Sequence, residues 1–238
     1  MTKMIRIVYQ DIKLRAKLVI FLLAFAPLAM MIGLLPITSI SLVTWSNLFD
    51  LIMTFRYEFF FVPLFIFLVG ALYHFNDWIR MRRYDHREDI ANHLLALVMV
   101  MSGLLSSTVF LAAGIISLVI KHLIYPYFPA YHALIHYKPA QITEGTSVGS
   151  FLILFYLITS FIGMLYFLLR EWTNHHALAA FLSIFLIVVD RLIFSFIPKF
   201  FYIGAVKYPI QATALLIILI FLLFVILRLT FKQKDFFK

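Results

Sequence analysis

Apolar residues in this chain come in long runs cut by polar stretches. The runs cover residues 18–35, 58–74, 94–120, 149–169, 177–197 and 210–227. A helix rises 1.5 Å per residue, so about 20 apolar residues cross the ~30 Å hydrocarbon core of a bilayer. The pattern therefore predicts an all-α integral membrane protein with six transmembrane helices in one transmembrane domain, residues 1–238. The first two runs are short and carry Pro27 and Pro63. Ahead of them, residues 1–17 are polar at helical spacing. Lys3, Arg6, Gln10, Lys13 and Lys17 share one face, and Ile5, Val8 and Ile12 share another. That periodicity predicts an amphipathic helix lying in the headgroup region. Residues 36–57 read as an outer, interface-hugging segment, 170–176 as a tight helical hairpin, 198–209 as an outer loop and 228–238 as a basic tail. The third run is rich in small residues, Ser102, Gly103, Ser106, Ser107, Ala112, Ala113 and Gly114, which let helices approach closely in lipid.

The densest polar stretch lies between the second and third runs. Residues 75–93 read FNDWIRMRRYDHREDIANH, with four arginines, four carboxylates and two histidines. Such a block between two apolar runs sits outside the bilayer and fixes how the chain is threaded. Lys and Arg set the orientation. Segments 1–17, 75–91, 170–176 and 228–238 hold fourteen, and the alternate segments hold five. The excess places both termini in the cytoplasm.

Composition sharpens this picture. Of 238 residues, 64% are hydrophobic and 13% charged, against about 25% charged in a soluble domain. The net charge of +9 suits anionic lipid on cytoplasmic segments better than nucleic acid. The absence of cysteine excludes disulfide and thiol chemistry.

Candidate chemistry is sparse. On a helix, Arg80, Arg83 and Arg87 stand at i, i+3 and i+7, beside a face holding Asp77, Asp85 and Glu88, with Trp78 and Met81 near. A solvated positive loop is one reading. A docking element that presents guanidinium forks to a cytosolic partner is the other. The chain has no G-x-x-x-x-G-K-[ST], so it holds no P-loop nucleotide site. Residues 145–149 read G-T-S-V-G, a formal G-x-S-x-G around Ser147. With His132 and His136 it outlines an alternative, a membrane-embedded hydrolase, but the motif needs a preceding strand. His132 and His136 are four apart without a close acid, so no metal site is expected. Asp190 and Arg191 are the one charged pair inside a run. They line a path or bridge helices, or they snorkel outward. Residues 121–148 carry Tyr125, Tyr127, Phe128 and Tyr131 and read as an aromatic interfacial or re-entrant segment.

A resemblance adds to these readings. A short apolar span opening with Glu58 and two aromatics runs through FVPLFIFLVGAL into WIRMRRYDHREDIANHLLALV. A long small-residue-rich helix follows. This resembles the membrane subunits of ABC-2-type exporters, the small permeases of Gram-positive bacteria above all. The matching positions are Arg80, Arg82, Arg83, Tyr84 and Arg87, then 92–98. The resemblance implies an ABC-2 half-transporter in a bacterial plasma membrane, moving a hydrophobic or amphipathic substrate outward. It implies that Asp77, Trp78, Arg80, Arg82, Arg83, Tyr84, Arg87 and Glu88 couple to a separate ABC ATPase subunit that carries ATP and Mg, with no cofactor on this chain. It implies a second copy or a paralogous permease as partner, membrane lipids around both, and an outer gate formed by the 121–148 segment. A non-transporting immunity or assembly factor is the remaining alternative.

Overall fold

The computed structural model describes residues 2–34, 52–73, 88–119 and 146–233. Eight α-helices and two π-helical segments account for nearly all of them, and no strand occurs among the described residues. The helices are α1 (Thr2–Leu14), α2 (Ala16–Leu34), α3 (Val62–Tyr73), α4 (Glu88–Val119), α5 (Thr146–Thr173), α6 (His176–Val189), α7 (Phe196–Val206) and α8 (Pro209–Gln233). A π-helical segment, Ile52–Phe61, leads into α3, and another, Asp190–Phe194, follows α6.

Four stretches are long and apolar enough to cross a membrane: Glu88–Ala112, Gly149–Thr173, His176–Phe194 and Pro209–Gln233. Two shorter apolar stretches, Ala16–Phe25 and Tyr57–Tyr73, accompany them. The central helix is α5. It has 67% of its apolar stretch buried, against 17% for the α6 stretch and 22% for α8. The two outer helices present Leu178, Phe181, Phe185, Ile217, Phe221 and Leu222 to the exterior. So much apolar surface is stable only against lipid.

The contacts along α5 fix the direction of its neighbours. Gly163 packs against Val98, and Tyr156 lies beside Gly103, so α4 runs antiparallel to α5. Tyr57 bonds Thr159, Gly70 touches Tyr166 and Tyr73 bonds Glu171, so α3 and its π-segment run parallel to α5. Arg228 of α8 bonds Glu88. The end of α3, the start of α4, the end of α5, the start of α6 and the end of α8 therefore share one end of the bundle. We call this the charged end. The flanks of the 74–87 stretch, Tyr73 and Glu88, both belong to it.

Several boundaries differ from those the apolar runs predict. Helix α4 starts at Glu88, before the run at 94. Glu88 and Asp89 occupy its first turn, where acidic groups oppose the helix dipole favourably, so charge extends the helix. Residues 198–209 are mostly helical, not a loop. The reason is local: Ser195 takes a left-handed conformation (φ 50°) and breaks the run. The Asp190 carboxylate then accepts the N–H groups of Phe196 (3.1 Å) and Ile197 (2.9 Å). It satisfies donors that the start of α7 leaves without an intrahelical partner. Pro63 stands one residue past the first π-segment. Its ring crowds the carbonyl four residues back and it lacks an N–H, which disfavours α-geometry in the turn before it. The amphipathic helix α1 rests on protein: Ile7 and Val8 are buried and Ile12 packs on the core, with α4 as its main neighbour.

Candidate functional site

At the charged end, α3, α5 and α6 converge on a buried polar knot. The Arg170 guanidinium lies over the Tyr73 ring, 3.6 Å from its centroid. A cation held over an aromatic face and shielded from water contributes about 1–2 kcal/mol. Arg170 Nη1 also faces Glu171 Oε1 at 3.3 Å, and that oxygen accepts the Tyr73 hydroxyl at 3.2 Å. Arg170 Nε donates to His176 Nε2 at 3.1 Å, and His176 Nδ1 lies 3.3 Å from the Tyr166 hydroxyl. Arg170 and Glu171 are both buried. Such charges are tolerated only when paired and hydrogen-bonded, and here each has partners from a second helix. The turn that brings α6 back to α5 is two residues long. Asn174 takes the left-handed conformation (φ 57°) that asparagine accepts more readily than most residues, and its N–H closes on the Arg170 carbonyl.

Two further ties fasten the same end. Arg228 Nε donates to Glu88 Oε2 at 2.7 Å, joining the last turns of α8 to the first of α4. His93 Nε2 stands 3.3 Å from Asp11 Oδ2, with both residues buried, joining α4 to α1. Arg15, between α1 and α2, donates to the Ala71 carbonyl near the end of α3.

The opposite end holds one charged cluster among the described residues. Arg191 Nε lies 3.7 Å from Glu58 Oε2, while Asp190 caps α7 as described above. Adjacent residues on a helix point about 100° apart, and these two serve different partners accordingly. Beside them Tyr57 bonds Thr159 at 3.2 Å and packs edge-on against Phe155 and Phe201. Both charged residues of the Glu58–Arg191 pair sit in the π-helical segments.

Of the residues singled out in the sequence, Glu88 and the Asp190–Arg191 pair are placed by the structure, at opposite ends of the bundle. Asp77, Trp78, Arg80, Arg82, Arg83, Tyr84 and Arg87 lie outside the described residues. So do Tyr125, Tyr127, Phe128 and Tyr131, and the histidines His132 and His136. Ser147 is in the first turn of α5. Arg170, Glu171, His176, Asp11 and His93 were not singled out as site residues. Arg170-Glu171 closing an apolar run, and an acid at Asp11 beside Val8 and Ile12 on a basic helix, are the signals that mark them. Comparison with protein-family models, with curated proteins and with solved structures gives no match.

Proposed function

We propose that this chain is the membrane subunit of an ATP-binding-cassette exporter of the ABC-2 type, driven by a separate ATPase. In this reading α2, α3 with its π-segment, α4, α5, α6 and α8 are six spans. Both termini and the charged end face the cytoplasm of a bacterial cell, and the opposite end faces out. The chain pairs with a second copy or a similar permease and passes a hydrophobic or amphipathic substrate outward.

The observation that supports this reading is the fastening of both flanks of the arginine-rich 74–87 stretch. Tyr73 precedes it and is held by Arg170 and Glu171. Glu88 follows it and is held by Arg228. A pull on the stretch therefore reaches α3, α4, α5 and α8 together. Coupling between distant sites needs elements that move as units, and a docking loop rooted in four helix ends meets that need. The ATPase carboxylates that meet the arginines would bind the guanidinium forks in charge-assisted bonds.

Reversing Arg80, Arg83 and Arg87 to Glu tests the proposal. The measurement is co-purification of an ATP-binding-cassette ATPase from native membranes. The reversal abolishes co-purification, and Lys199→Glu, at the opposite end, leaves it intact. Undiminished recovery of the ATPase with the triple reversal would overturn the coupling role.

A further inference from the structure

A cleft of about 370 Å³ opens between α3 and α6 beside the charged end. Small side chains create it: Gly70 and Ala71 on α3 face Ala177 and Ala180 on α6. The Tyr166 hydroxyl forms its floor, in the space a side chain at Gly70 would take, since a Cβ there would lie 2.8 Å from that oxygen. His176 Nδ1 adjoins the same hydroxyl. Arg15 borders the cleft with its guanidinium anchored on the Ala71 carbonyl. Phe67 flanks the cleft farther from the charged end and is 62% exposed. Ala177 is exposed too. The mouth thus opens on the apolar exterior of the bundle.

The walls are graded. A cation, an imidazole and a phenol stand at the charged end, and Ile66, Phe67 and Ala180 lead away from it toward the middle of the bundle. That gradient matches an amphiphile with an anionic head. Lys13 and Lys17 flank Arg15 in sequence and are both exposed, so the field around the head is positive on every side the α1–α2 junction reaches. Basic pockets between membrane helices bind the phosphate heads of anionic lipids. The volume is near the lower limit for ligand sites, which fits a phosphate and a small head with the start of one chain.

We infer that this cleft binds an anionic phospholipid. Its phosphate sits between Arg15 and His176, and one acyl chain lies along Phe67 and Ala180. The inference needs the chain to be embedded in a membrane. It does not need the transport reading, and its test involves no ATPase.

The test uses the full chain in mild detergent and native mass spectrometry. The probes are phosphatidylglycerol, phosphatidylcholine and glycerol 3-phosphate. Arg15→Gln removes the cation. Ala177→Phe fills the mouth from an exposed position, where the larger ring meets no core packing. Lys207→Gln, at the other end of the bundle, is the control. The wild type and the control retain phosphatidylglycerol in preference to phosphatidylcholine. Each cleft variant loses that retention by about fivefold to tenfold, the scale for one cation beside an anionic head, with its melting temperature close to wild type. Equal retention by either cleft variant and the wild type overturns the inference. So does equal binding of phosphatidylcholine. Displacement of the lipid by glycerol 3-phosphate alone overturns it in favour of a site for soluble phosphate compounds.

Discussion

The Glu58–Arg191 pair can be tested by a double-mutant cycle. Glu58 is 1% exposed, and neither of its carboxylate oxygens has a hydrogen bond among the described residues. Its counter-charge is Arg191 Nε at 3.7 Å. Two unit charges at that separation attract by about 4–5 kcal/mol at an effective dielectric constant near 20. The Arg191 side chain is 30% exposed, so solvent screens it and the coupling comes to about 2–3 kcal/mol. The two single changes are unequal. Arg191→Gln strands an acid in the interior and costs about 3 kcal/mol. Glu58→Gln leaves a guanidinium that reaches solvent and costs about 1 kcal/mol. The double variant pairs two amides and costs about 1–2 kcal/mol, well below the sum of the two. Reversible unfolding in mixed micelles titrated with a denaturing detergent, followed by circular dichroism, gives the four free energies. If the two single costs add to the double within about 0.5 kcal/mol, the pair carries no coupling and the argument for an electrostatic tie between the two π-helical segments fails.

Two other changes test the packing. Gly163→Ala puts a Cβ 2.8 Å from the Phe65 ring and 2.9 Å from Val98, at the meeting of α3, α4 and α5. It should destabilise by about 1–3 kcal/mol, read as a lower melting temperature in detergent. Arg170→Lys keeps the charge but loses the planar stack on Tyr73 and the bond to His176, so it should cost about 1–2 kcal/mol in the same assay. A variant that melts with the wild type would show that charge alone holds the knot.

Much of the bundle was legible in the apolar runs. Long helices cover the runs at 94–120, 149–169 and 210–227, because an uninterrupted apolar stretch of that length leaves the backbone no better state in lipid. The ends of the helices were less legible. Glu88 and Asp89 looked like part of a charged loop, yet acidic groups suit a first helical turn. Residues 198–209 looked like a loop because of their two prolines, but Pro198 stands in the first turn of α7 and Pro209 opens α8, where a missing N–H costs little. The buried polar knot could not be read from spacing. Arg170 and Tyr73 are far apart in the chain, and only the parallel course of α3 and α5 brings them together. The apolar face of α1 was visible as periodicity, but periodicity does not say whether lipid or protein covers it. Here it is α4, through Val8 and the Asp11–His93 contact.

The two π-helical segments carry a consequence for how this protein can change over time. A π-turn closes five residues back where an α-turn closes four, so it holds one residue more than the helix around it requires. Loss of one residue from Asp190–Phe194 would let that segment close as ordinary α-helix, and all that follows would turn by about 100°. Asp190 would no longer meet the first donors of α7, and Phe201 would leave its place against Tyr57 and Phe151. The outer corner of the bundle is thus sensitive to the length of the chain as well as to its chemistry. Substitutions there can be absorbed one side chain at a time, whereas a single insertion or deletion rewrites the whole corner at once.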